Sequence, residues 1–233
     1  MENITTALIL AGGKGERLQP LTKDRPKPMV LIEGKPILEY HLLWLKNQGI
    51  KRAIILTGYL SKTIEDYFGE PRIEGLNVIC LSEDAPLGRG GAFKRGYELY
   101  SENDETVIAT NGDVITDQVL KPMIDLHFAS NATATIMVSQ MRSPYGIVES
   151  NSAFQVQKFN EKPLLPYWIN AGVYVLSRKA IERFPENGDH EVTTFPKLAS
   201  EGSIAAYQSK AYWKSIESPK DLVEVSEFLG TDL

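Results

Sequence analysis

Short apolar runs alternate with amphipathic segments along the first half of the chain. Residues 4–10 form an apolar run that ends at a glycine pair, which predicts a buried strand. Residues 36–48 place Ile37 and Tyr40 on one helical face, and Gly49 is a typical helix stop. The same alternation predicts strands at 53–56, 76–81 and 106–110, and helices at 61–68 and 91–100, the first of them capped by Ser61.

The second half of the chain is richer in strands. Strands are predicted at 134–139, 146–149, 154–159 and 171–176, and helices at 118–129, 177–183 and 219–229. No proline- or serine-rich linker and no internal repeat divides the sequence. We therefore predict a single domain over residues 1–233 of the α/β class, a Rossmann-like fold with a mixed, mostly parallel sheet of about seven strands flanked by helices.

Charge and composition limit the partners that the chain can bind. Of its 233 residues, 25 are Lys or Arg and 30 are Asp or Glu, which gives a formal net charge of −5. An acidic chain has no overall attraction for nucleic acid, so an anionic ligand must be held by a local cluster of basic groups. The single cysteine excludes an internal disulfide, and no apolar run approaches the roughly 18–20 residues that span a bilayer. We expect a cytoplasmic protein without nucleic-acid or membrane partners.

The strongest local motif is a glycine-rich turn directly after the first strand. It consists of Leu10, Ala11, Gly12, Gly13, Lys14 and Gly15. Glycines allow a sharp turn and let a phosphate approach the backbone N–H groups. Leu18 stands where a G-x-G-x-x-G motif needs its last glycine, and the Gly-Lys-Ser/Thr ending of a P-loop is absent. From these residues alone, a phosphate-binding turn and a purely structural βα connection are equal alternatives.

Two basic residues favour phosphate binding over the structural alternative. Arg17 follows the turn closely, and Lys27 lies between Pro26 and Pro28, which hold its backbone extended. A stiff loop loses little further entropy when its side chain binds a ligand. The combination of glycine N–H groups, an arginine and a pre-ordered lysine predicts a polyphosphate site.

The stretch from Leu10 to Met29, LAGGKGERLQPLTKDRPKPM, resembles the signature of the sugar-1-phosphate nucleotidyltransferases, also called nucleotide-sugar pyrophosphorylases. Further matches follow in order: PLG-x-GGA at 86–92, NGD at 111–113, YGIVE at 145–149, EKP at 161–163 and NAGVYV at 170–175. The pattern is most similar to the mannose- and heptose-1-phosphate guanylyltransferases. The resemblance implies the glycosyltransferase-A-like fold of nucleotide-diphospho-sugar transferases, with a nucleotide-binding first half and a sugar-binding second half.

The implied reaction converts a nucleoside triphosphate and a sugar 1-phosphate into a nucleotide sugar and pyrophosphate, with Mg²⁺ as cofactor. By resemblance, Asp113 holds the metal, and Arg17 and Lys27 hold the triphosphate and the leaving pyrophosphate. The residues from Leu10 to Gly15 would face the nucleotide. Asp113 follows a predicted strand, at the edge where α/β sheets bind ligands. The resemblance also leaves a homodimer open.

Four residues of the second half are assigned to the sugar phosphate by the same resemblance. Gly146 would let the sugar approach the backbone closely, and Glu161 would accept hydrogen bonds from its hydroxyls. Lys162 would hold the phosphate, and Asn170 would offer a donor and an acceptor to the hydroxyls. A Glu-Lys pair is otherwise common on solvated surfaces.

The choice of base rests on Glu83, in the segment that leads to Gly88. A carboxylate only accepts hydrogen bonds, which suits the N–H donors of guanine, whereas relatives that use pyrimidine nucleotides often carry a glutamine in this region. No glutamine lies between Gln48 and Gln118, so GTP is favoured. A uridylyl- or thymidylyltransferase acting on glucose 1-phosphate is the alternative, with Glu83 turned to solvent.

The sequence also departs from the family pattern. Ser215 stands where active members often carry a second metal-binding aspartate, and Glu217, two residues on, would face the same side of a strand and is the candidate replacement. Arg89 replaces a common threonine between the glycines, and Glu16 stands where threonine is frequent. These departures leave a non-catalytic, regulatory protein that binds nucleotide sugars as a second alternative. We expect no C-terminal β-helix domain after the last predicted helix.

Overall fold

The computed structural model describes residues 4–231. In chain order its strands are β1 (Thr6–Leu10), β2 (Leu31–Ile32), β3 (Lys35–Pro36), β4 (Arg52–Thr57), β5 (Asn77–Ser82), β6 (Thr106–Asn111), β7 (Val114–Thr116), β8 (Ala134–Arg142), β9 (Ile147–Ser150), β10 (Val156–Asn160), β11 (Leu164–Ser177), β12 (Ile204–Gln208) and β13 (Trp213–Ser215). Its α-helices are α1 (Ile37–Asn47), α2 (Ser61–Phe68), α3 (Gly88–Tyr100), α4 (Leu120–Ala129), α5 (Arg178–Ile181), α6 (His190–Thr193), α7 (Phe195–Ser200) and α8 (Pro219–Thr231).

Seven strands form the central sheet, in the order β12-β8-β11-β6-β1-β4-β5. Four of the six neighbouring pairs are parallel, and β11 runs antiparallel between β6 and β8. The prediction of a mixed, mostly parallel sheet is therefore confirmed. Strands from both halves of the sequence contribute to this one sheet. Three two-stranded sheets, β9-β10, β7-β13 and β2-β3, complete the strand pairing of residues 4–231.

Two apolar layers cover the central sheet, one on each face. Ile9 and Ile55 belong to the buried cluster that includes residues of α1, α2 and α4. Leu8 and Ile54 belong to the cluster on the opposite face, with residues of α3 and α7. Because successive side chains of a strand point to opposite faces, residues 7–10 of β1 and 53–56 of β4, which have a layer on each face, are all apolar. This explains the continuous apolar runs in their sequences.

The structure corrects several predicted boundaries. Leu60, at φ 52°, occupies the N-cap position of α2, so Ser61 is its first helical residue and not its cap. Helix α3 begins at Gly88, three residues before the predicted start. Strand β11 begins at Leu164, far before the predicted residue 171, because its first part is mostly exposed and lacks a buried apolar run. The predicted helix at 177–183 is the short α5.

Glycines at the start of α3 allow a loop from the second half to contact the helix closely. Gly88 has φ +74°, and a Cβ atom there would lie 2.6 Å from the Gly188 carbonyl oxygen. A Cβ atom on Gly91 would collide with the carbonyl oxygen of Glu186. Gly90 donates its N–H to the Gly188 oxygen at 2.9 Å. The glycines of this motif thus position the loop of residues 185–190 against α3.

The three histidines of the sequence are all buried, and burial lowers the pKa of His41, His127 and His190 to about 4 in each case. In the unfolded chain their pKa is about 6.5. Between these values the unfolded state binds more protons, so the free energy of unfolding should fall as the pH falls from about 6.5 towards 4. The expected slope is about 1.4 kcal/mol per pH unit for each histidine.

Urea unfolding at pH 7.5, 6 and 5 measures this slope. His41→Asn is a suitable comparison, because its amide can keep the donor to the Val114 carbonyl oxygen, which lies 2.9 Å from Nδ1 of His41. In this variant the slope of the free energy of unfolding against pH should be smaller by the contribution of one histidine, about 1.4 kcal/mol per pH unit. A wild-type stability that is equal at pH 7.5 and pH 5 would contradict the expectation.

Within the described part of the chain, no helix combines the length and apolar character that crossing a membrane requires.

Candidate active site

A cleft of about 560 Å³ opens at the carboxyl ends of β1 and β6. Its lining combines the glycine-rich turn with charged residues from other parts of the chain. These lining residues are Leu10, Ala11, Gly12, Gly13, Lys14, Gly15, Glu16, Arg17, Leu18, Lys27, Pro28, Arg89, Asn111, Asp113 and Glu217. The carboxyl edge of a parallel sheet is the usual place of ligand binding in α/β proteins. The structure thus brings the predicted residues from Leu10 to Gly15 together with Arg17, Lys27 and Asp113.

The end of the glycine-rich turn contacts the loop that carries Lys27. Gly15 has φ +65°, and a Cβ atom there would lie 2.7 Å from Cβ of Lys27. Its carbonyl oxygen accepts hydrogen bonds from the Thr22 hydroxyl and the Leu18 N–H, both at 2.9 Å. Glycine is therefore required at this position by conformation and by space. The contact places the stem of the Lys27 side chain directly against Gly15, at the end of the turn.

Lys27 forms an ion pair with Asp113 in the floor of the cleft. The distance from Nζ of Lys27 to Oδ2 of Asp113 is 2.6 Å, and Lys27 is only 8% exposed. Lys27 begins a short 3-10 turn, Lys27–Met29, so its backbone is helical and the prediction of an extended lysine between two prolines is wrong, whereas Pro26, the N-cap of the turn, is extended. Asp113 lies between β6 and β7, as expected for a residue at the strand ends.

Glu217 is the second carboxylate that forms an ion pair with Lys27. Its Oε2 lies 3.2 Å from Nζ of Lys27 and also pairs with Arg17. The Ser215 hydroxyl donates to Oε1 of Glu217 at 3.1 Å, so the two side chains lie side by side. Strand β13 brings them here by pairing with β7, and the N–H of the next residue, Ile216, donates to the Asp113 carbonyl oxygen at 3.0 Å.

The carboxylates of this cluster fit a divalent cation. Oδ1 of Asp113 is buried and has no hydrogen-bond partner among the described residues, so it is an anionic oxygen that lacks a counterpart. Over residues 4–231 no group of three or more His, Cys, Asp or Glu side chains could hold a metal ion. A pair of carboxylates suits a hard ion that completes its coordination with substrate phosphates and water. Asp113 and Glu217 are the residues that would hold it.

Glu83 and Gly88 lie outside the lining of the cleft. Glu83 accepts a hydrogen bond from the Leu87 N–H at 2.8 Å through Oε2. Its Oε1 stands directly behind the glycine-rich turn, since a Cβ atom on Gly12 would lie 3.2 Å from it. Gly88 faces Gly188. Their assignment to the nucleotide stays a prediction.

Three of the predicted sugar-phosphate residues meet at the β9-β10 hairpin. A Cβ atom on Gly146 would lie 3.0 Å from Oε2 of Glu161 and 2.8 Å from the Phe159 ring, so Gly146 lies directly against the outer ends of these two exposed side chains. Nζ of Lys162 lies 3.7 Å from Oε1 of Glu161. Asn170 lies apart from them in β11. None of these four residues is among those that line the cleft described above, and their role stays a prediction.

Asn170 belongs to a polar network that sequence reasoning did not find. Its amide nitrogen donates to the Tyr174 hydroxyl and to Oε1 of Glu191, both at 2.9 Å. Glu191 in turn pairs through Oε2 with Arg89 at 2.8 Å, and Arg89 also pairs with Asp189. Asp189 lies 100 positions after Arg89, and no local pattern signals such a distant pair. The only hint in the sequence is Arg89 itself, which stands where the family pattern commonly has threonine.

The charges of this network stabilise one another. Partial burial alone would raise the pKa of Asp189, but the backbone N–H of Glu191 and the Arg89 guanidinium bring it below its ordinary value. Burial likewise disfavours the charged form of Arg89. The nearby carboxylates of Asp189 and Glu191 have the larger effect, so the pKa of Arg89 is raised. Asp189 and Arg89 are therefore both charged at neutral pH.

The sheet topology and the cleft together define an α/β fold with a glycine-lined, charged ligand site at its strand ends. The chain belongs to the Nucleotidyl transferase family, whose model matches residues 6–232. The family resemblance of the sequence motifs is thereby confirmed. The chain is 35% identical over 227 residues to mannose-1-phosphate guanyltransferase beta-A of Xenopus laevis, covering 93% of this chain and 62% of that protein. It is 33% identical to the mannose-1-phosphate guanylyltransferase of Mycobacterium tuberculosis, covering 94% of this chain and 63% of that protein.

Solved structures show the same fold. The chain superposes on HddC from Yersinia pseudotuberculosis with a TM-score of 0.78 and 32% identity, covering 97% of this chain and all of that one (100%). HddC complexed with GMP-PN gives a TM-score of 0.77 at 30% identity. A putative glucose-1-phosphate thymidylyltransferase from Bacillus anthracis, at 18% identity and a TM-score of 0.74, shares the fold.

Proposed function

We propose that the protein transfers a guanylyl group from GTP to a sugar 1-phosphate of the mannose or heptose type and releases pyrophosphate. The observation that carries this proposal is the convergence of Arg17, Lys27, Asp113 and Glu217 on the glycine-rich turn. The relatives named as mannose-1-phosphate guanylyltransferases and the HddC complex with GMP-PN support guanine and the sugar class. The chain spans only about 62% of the Xenopus relative, so the activity is proposed for this part alone.

The chemistry requires two anions to meet. A phosphate oxygen of the sugar 1-phosphate attacks the α-phosphorus of GTP, the bond to the bridging oxygen breaks, and pyrophosphate leaves with the electron pair. Catalysis of such a transfer rests on alignment and charge neutralisation, so no covalent intermediate on the protein is needed. The backbone N–H groups of the glycine-rich turn and the side chains of Arg17 and Lys27 supply the donors and the positive charge.

Lys27 has one donor left for a phosphate. An ammonium group has three N–H donors. Two of these are directed at Asp113 and Glu217, at 2.6 and 3.2 Å. The third can reach a phosphate oxygen in the cleft, and the two carboxylates fix the orientation of the group. Lys27 is therefore held for phosphate binding before the substrate arrives.

Nucleotidyl transferases commonly use a divalent metal, and we propose that Mg²⁺ serves here. Asp113 would hold it through the buried Oδ1, and Glu217 would be the second ligand in place of the aspartate that Ser215 replaces. When bound, the ion neutralises negative charge on the phosphates. Glu83 is proposed on the base side, and Gly146, Glu161, Lys162 and Asn170 on the sugar side. Homodimer formation and a cytoplasmic location stay predictions.

A matrix of substrates tests the proposed function. Pyrophosphate release is measured with each of five nucleotides (GTP, ATP, CTP, UTP and dTTP) against mannose, heptose and glucose 1-phosphates, with Mg²⁺ or with EDTA. We expect GTP with the mannose or heptose compound to give the highest kcat/KM, and EDTA to abolish the reaction. Turnover limited to UTP or dTTP with glucose 1-phosphate would contradict it. Binding of a nucleotide sugar without any pyrophosphate release would support the regulatory alternative.

A further inference from the structure

Arg89 links the cleft to the predicted sugar-binding residues. It stands in the first turn of α3, lines the cleft, and its side chain is 44% exposed. Its Nε donates to Asp189 at 2.8 Å, Nη2 contacts the same carboxylate, and Nη1 lies 2.8 Å from Oε2 of Glu191. A planar guanidinium in contact with two carboxylates has a fixed orientation. Arg89, which lines the cleft, therefore fixes the orientation of Glu191, which is not itself a lining residue but lies in direct contact with one.

The hydrogen bonds of Asn170 are used within the protein. Both N–H donors of its amide are taken, by Tyr174 and Glu191, and its Oδ1 accepts from the Gly172 N–H at 2.9 Å. The Tyr174 hydroxyl donates to Oε1 of Glu191 at 2.8 Å, and burial raises the phenol's pKa so that the proton stays on it. Asn170 is thus a fixed support for Glu191 and has little capacity left for a sugar.

Glu191 keeps acceptor capacity. An ionised carboxylate has about four acceptor positions. Arg89, Asn170 and Tyr174 occupy three of them, and the Glu191 side chain is 22% exposed. Arg89 with Asp189 and Glu191 carries a net charge of −1, which disfavours a phosphate at this point. A neutral group that donates hydrogen bonds, such as a sugar hydroxyl, is the ligand that this cluster suits.

We propose that Glu191 accepts a hydrogen bond from a hydroxyl of the sugar 1-phosphate and so determines sugar specificity, and that Arg89 is the positioning residue that holds it. This inference rests on the proposed function. It assigns Asn170 a supporting role in place of the direct contact that the sequence predicts. It also explains an arginine where threonine is common, because threonine is too short to reach both carboxylates of the loop.

A purely structural role makes a different prediction, and the chain offers a matched control for it. Lys94, on the same helix α3, forms an ion pair with Glu186 of the same loop. Lys94 does not line the cleft, so Lys94→Met loosens the attachment of the loop without touching the proposed sugar site. If Arg89 only ties the loop to α3, Lys94→Met and Arg89→Thr should have equal effects.

The experiment compares Glu191→Gln, Arg89→Thr and Lys94→Met with the wild type, after thermal melting has shown that each is folded. We expect Glu191→Gln to raise KM for the sugar 1-phosphate about 10- to 100-fold, as for the loss of a hydrogen bond to a charged group. Arg89→Thr should change KM in the same direction. KM for GTP should stay within about twofold in both, and Lys94→Met should match the wild type.

Deoxy analogues of the sugar 1-phosphate identify the hydroxyl. For the wild type, one deoxy analogue should give a lower kcat/KM than the complete sugar 1-phosphate. In Glu191→Gln this ratio between the complete sugar and the analogue should be at least about fivefold smaller, because two groups in contact are energetically coupled. Equal losses in both proteins, or a raised KM for GTP alone, would overturn the inference. If the wild type releases no pyrophosphate, the proposed function fails, and calorimetry with GDP-mannose decides. Weaker binding only in Glu191→Gln and Arg89→Thr then supports the inference, and equal binding or no binding overturns it.

Discussion

Replacement of Asp113 by asparagine should lower pyrophosphate release by about 1,000-fold or more, which is the scale of losing a pre-oriented charge in a phosphoryl-transfer site. The amide keeps the size of the side chain but loses the negative charge. Oδ2 of Asp113 holds Lys27 at 2.6 Å, and its buried Oδ1 has no hydrogen-bond partner among the described residues. Single-turnover measurements with GTP and mannose 1-phosphate test the change, and a variant within tenfold of the wild type would contradict it.

Glu217 gives the comparison for Asp113. If it is the second metal ligand, Glu217→Gln should raise the Mg²⁺ concentration for half-maximal rate while leaving the maximal rate within about tenfold. Ser215→Asp tests the opposite possibility, that Glu217 does not bind the metal. In that case the aspartate restored beside Glu217 should lower the Mg²⁺ concentration for half-maximal rate. A Mg²⁺ titration of the wild type and these two variants separates the two cases.

Replacement of Lys27 by methionine should lower kcat/KM by about 100- to 1,000-fold, because the variant keeps the stem of the side chain and removes the charge beside the phosphates. The Mg²⁺ requirement should not rise, since removal of Lys27 frees Oδ2 of Asp113 and Oε2 of Glu217 and takes no ligand from the proposed metal. Removal of the Lys27 ammonium group, which pairs with both carboxylates, should also lower the melting temperature when Mg²⁺ is absent. Addition of Mg²⁺ should then restore part of the lost melting temperature.

Arg17→Ala is the comparison for Lys27→Met and should have a smaller effect. The Arg17 side chain is 77% exposed, against 11% for Lys27, so its charge is screened more strongly by solvent. We expect a loss of about tenfold, well below that of Lys27→Met. Equal effects of the two variants would contradict this ranking, and wild-type kinetics in both would show that the loop has only a structural role.

Local sequence patterns were sufficient for the glycine-lined side of the cleft. β1 is a continuous apolar run, the turn after it is marked by its glycines, and Lys27 is marked by its flanking prolines. Each signal extends over a few residues, because a turn's backbone conformation depends on neighbouring residues and a strand buried on both faces shows as a short continuous apolar run. The position of Asp113 followed from the rule that ligands bind where parallel strands end.

The opposite side of the cleft could not be placed in this way. Glu217 reaches Lys27 because β13 pairs with β7, and strands of three residues carry no periodic pattern. The first part of β11 is mostly exposed, so its sequence lacks the apolar run that marks a buried strand. The pairing of Arg89 with Asp189 depends on the packing of a distant loop against glycines, which only the folded chain specifies.

The ion pairs of the cleft have a thermodynamic consequence for the nucleotide. Arg17 and Lys27 carry two positive charges, and Asp113 and Glu217 carry two negative charges, so this group is neutral without ligand. A triphosphate that enters a neutral group brings its own charge uncompensated. Nucleotide binding at the proposed site should therefore be linked to the uptake of cations, and by reciprocity each ligand should raise the affinity for the other. The slope of log nucleotide affinity against log divalent-cation concentration counts the cations that enter with each nucleotide.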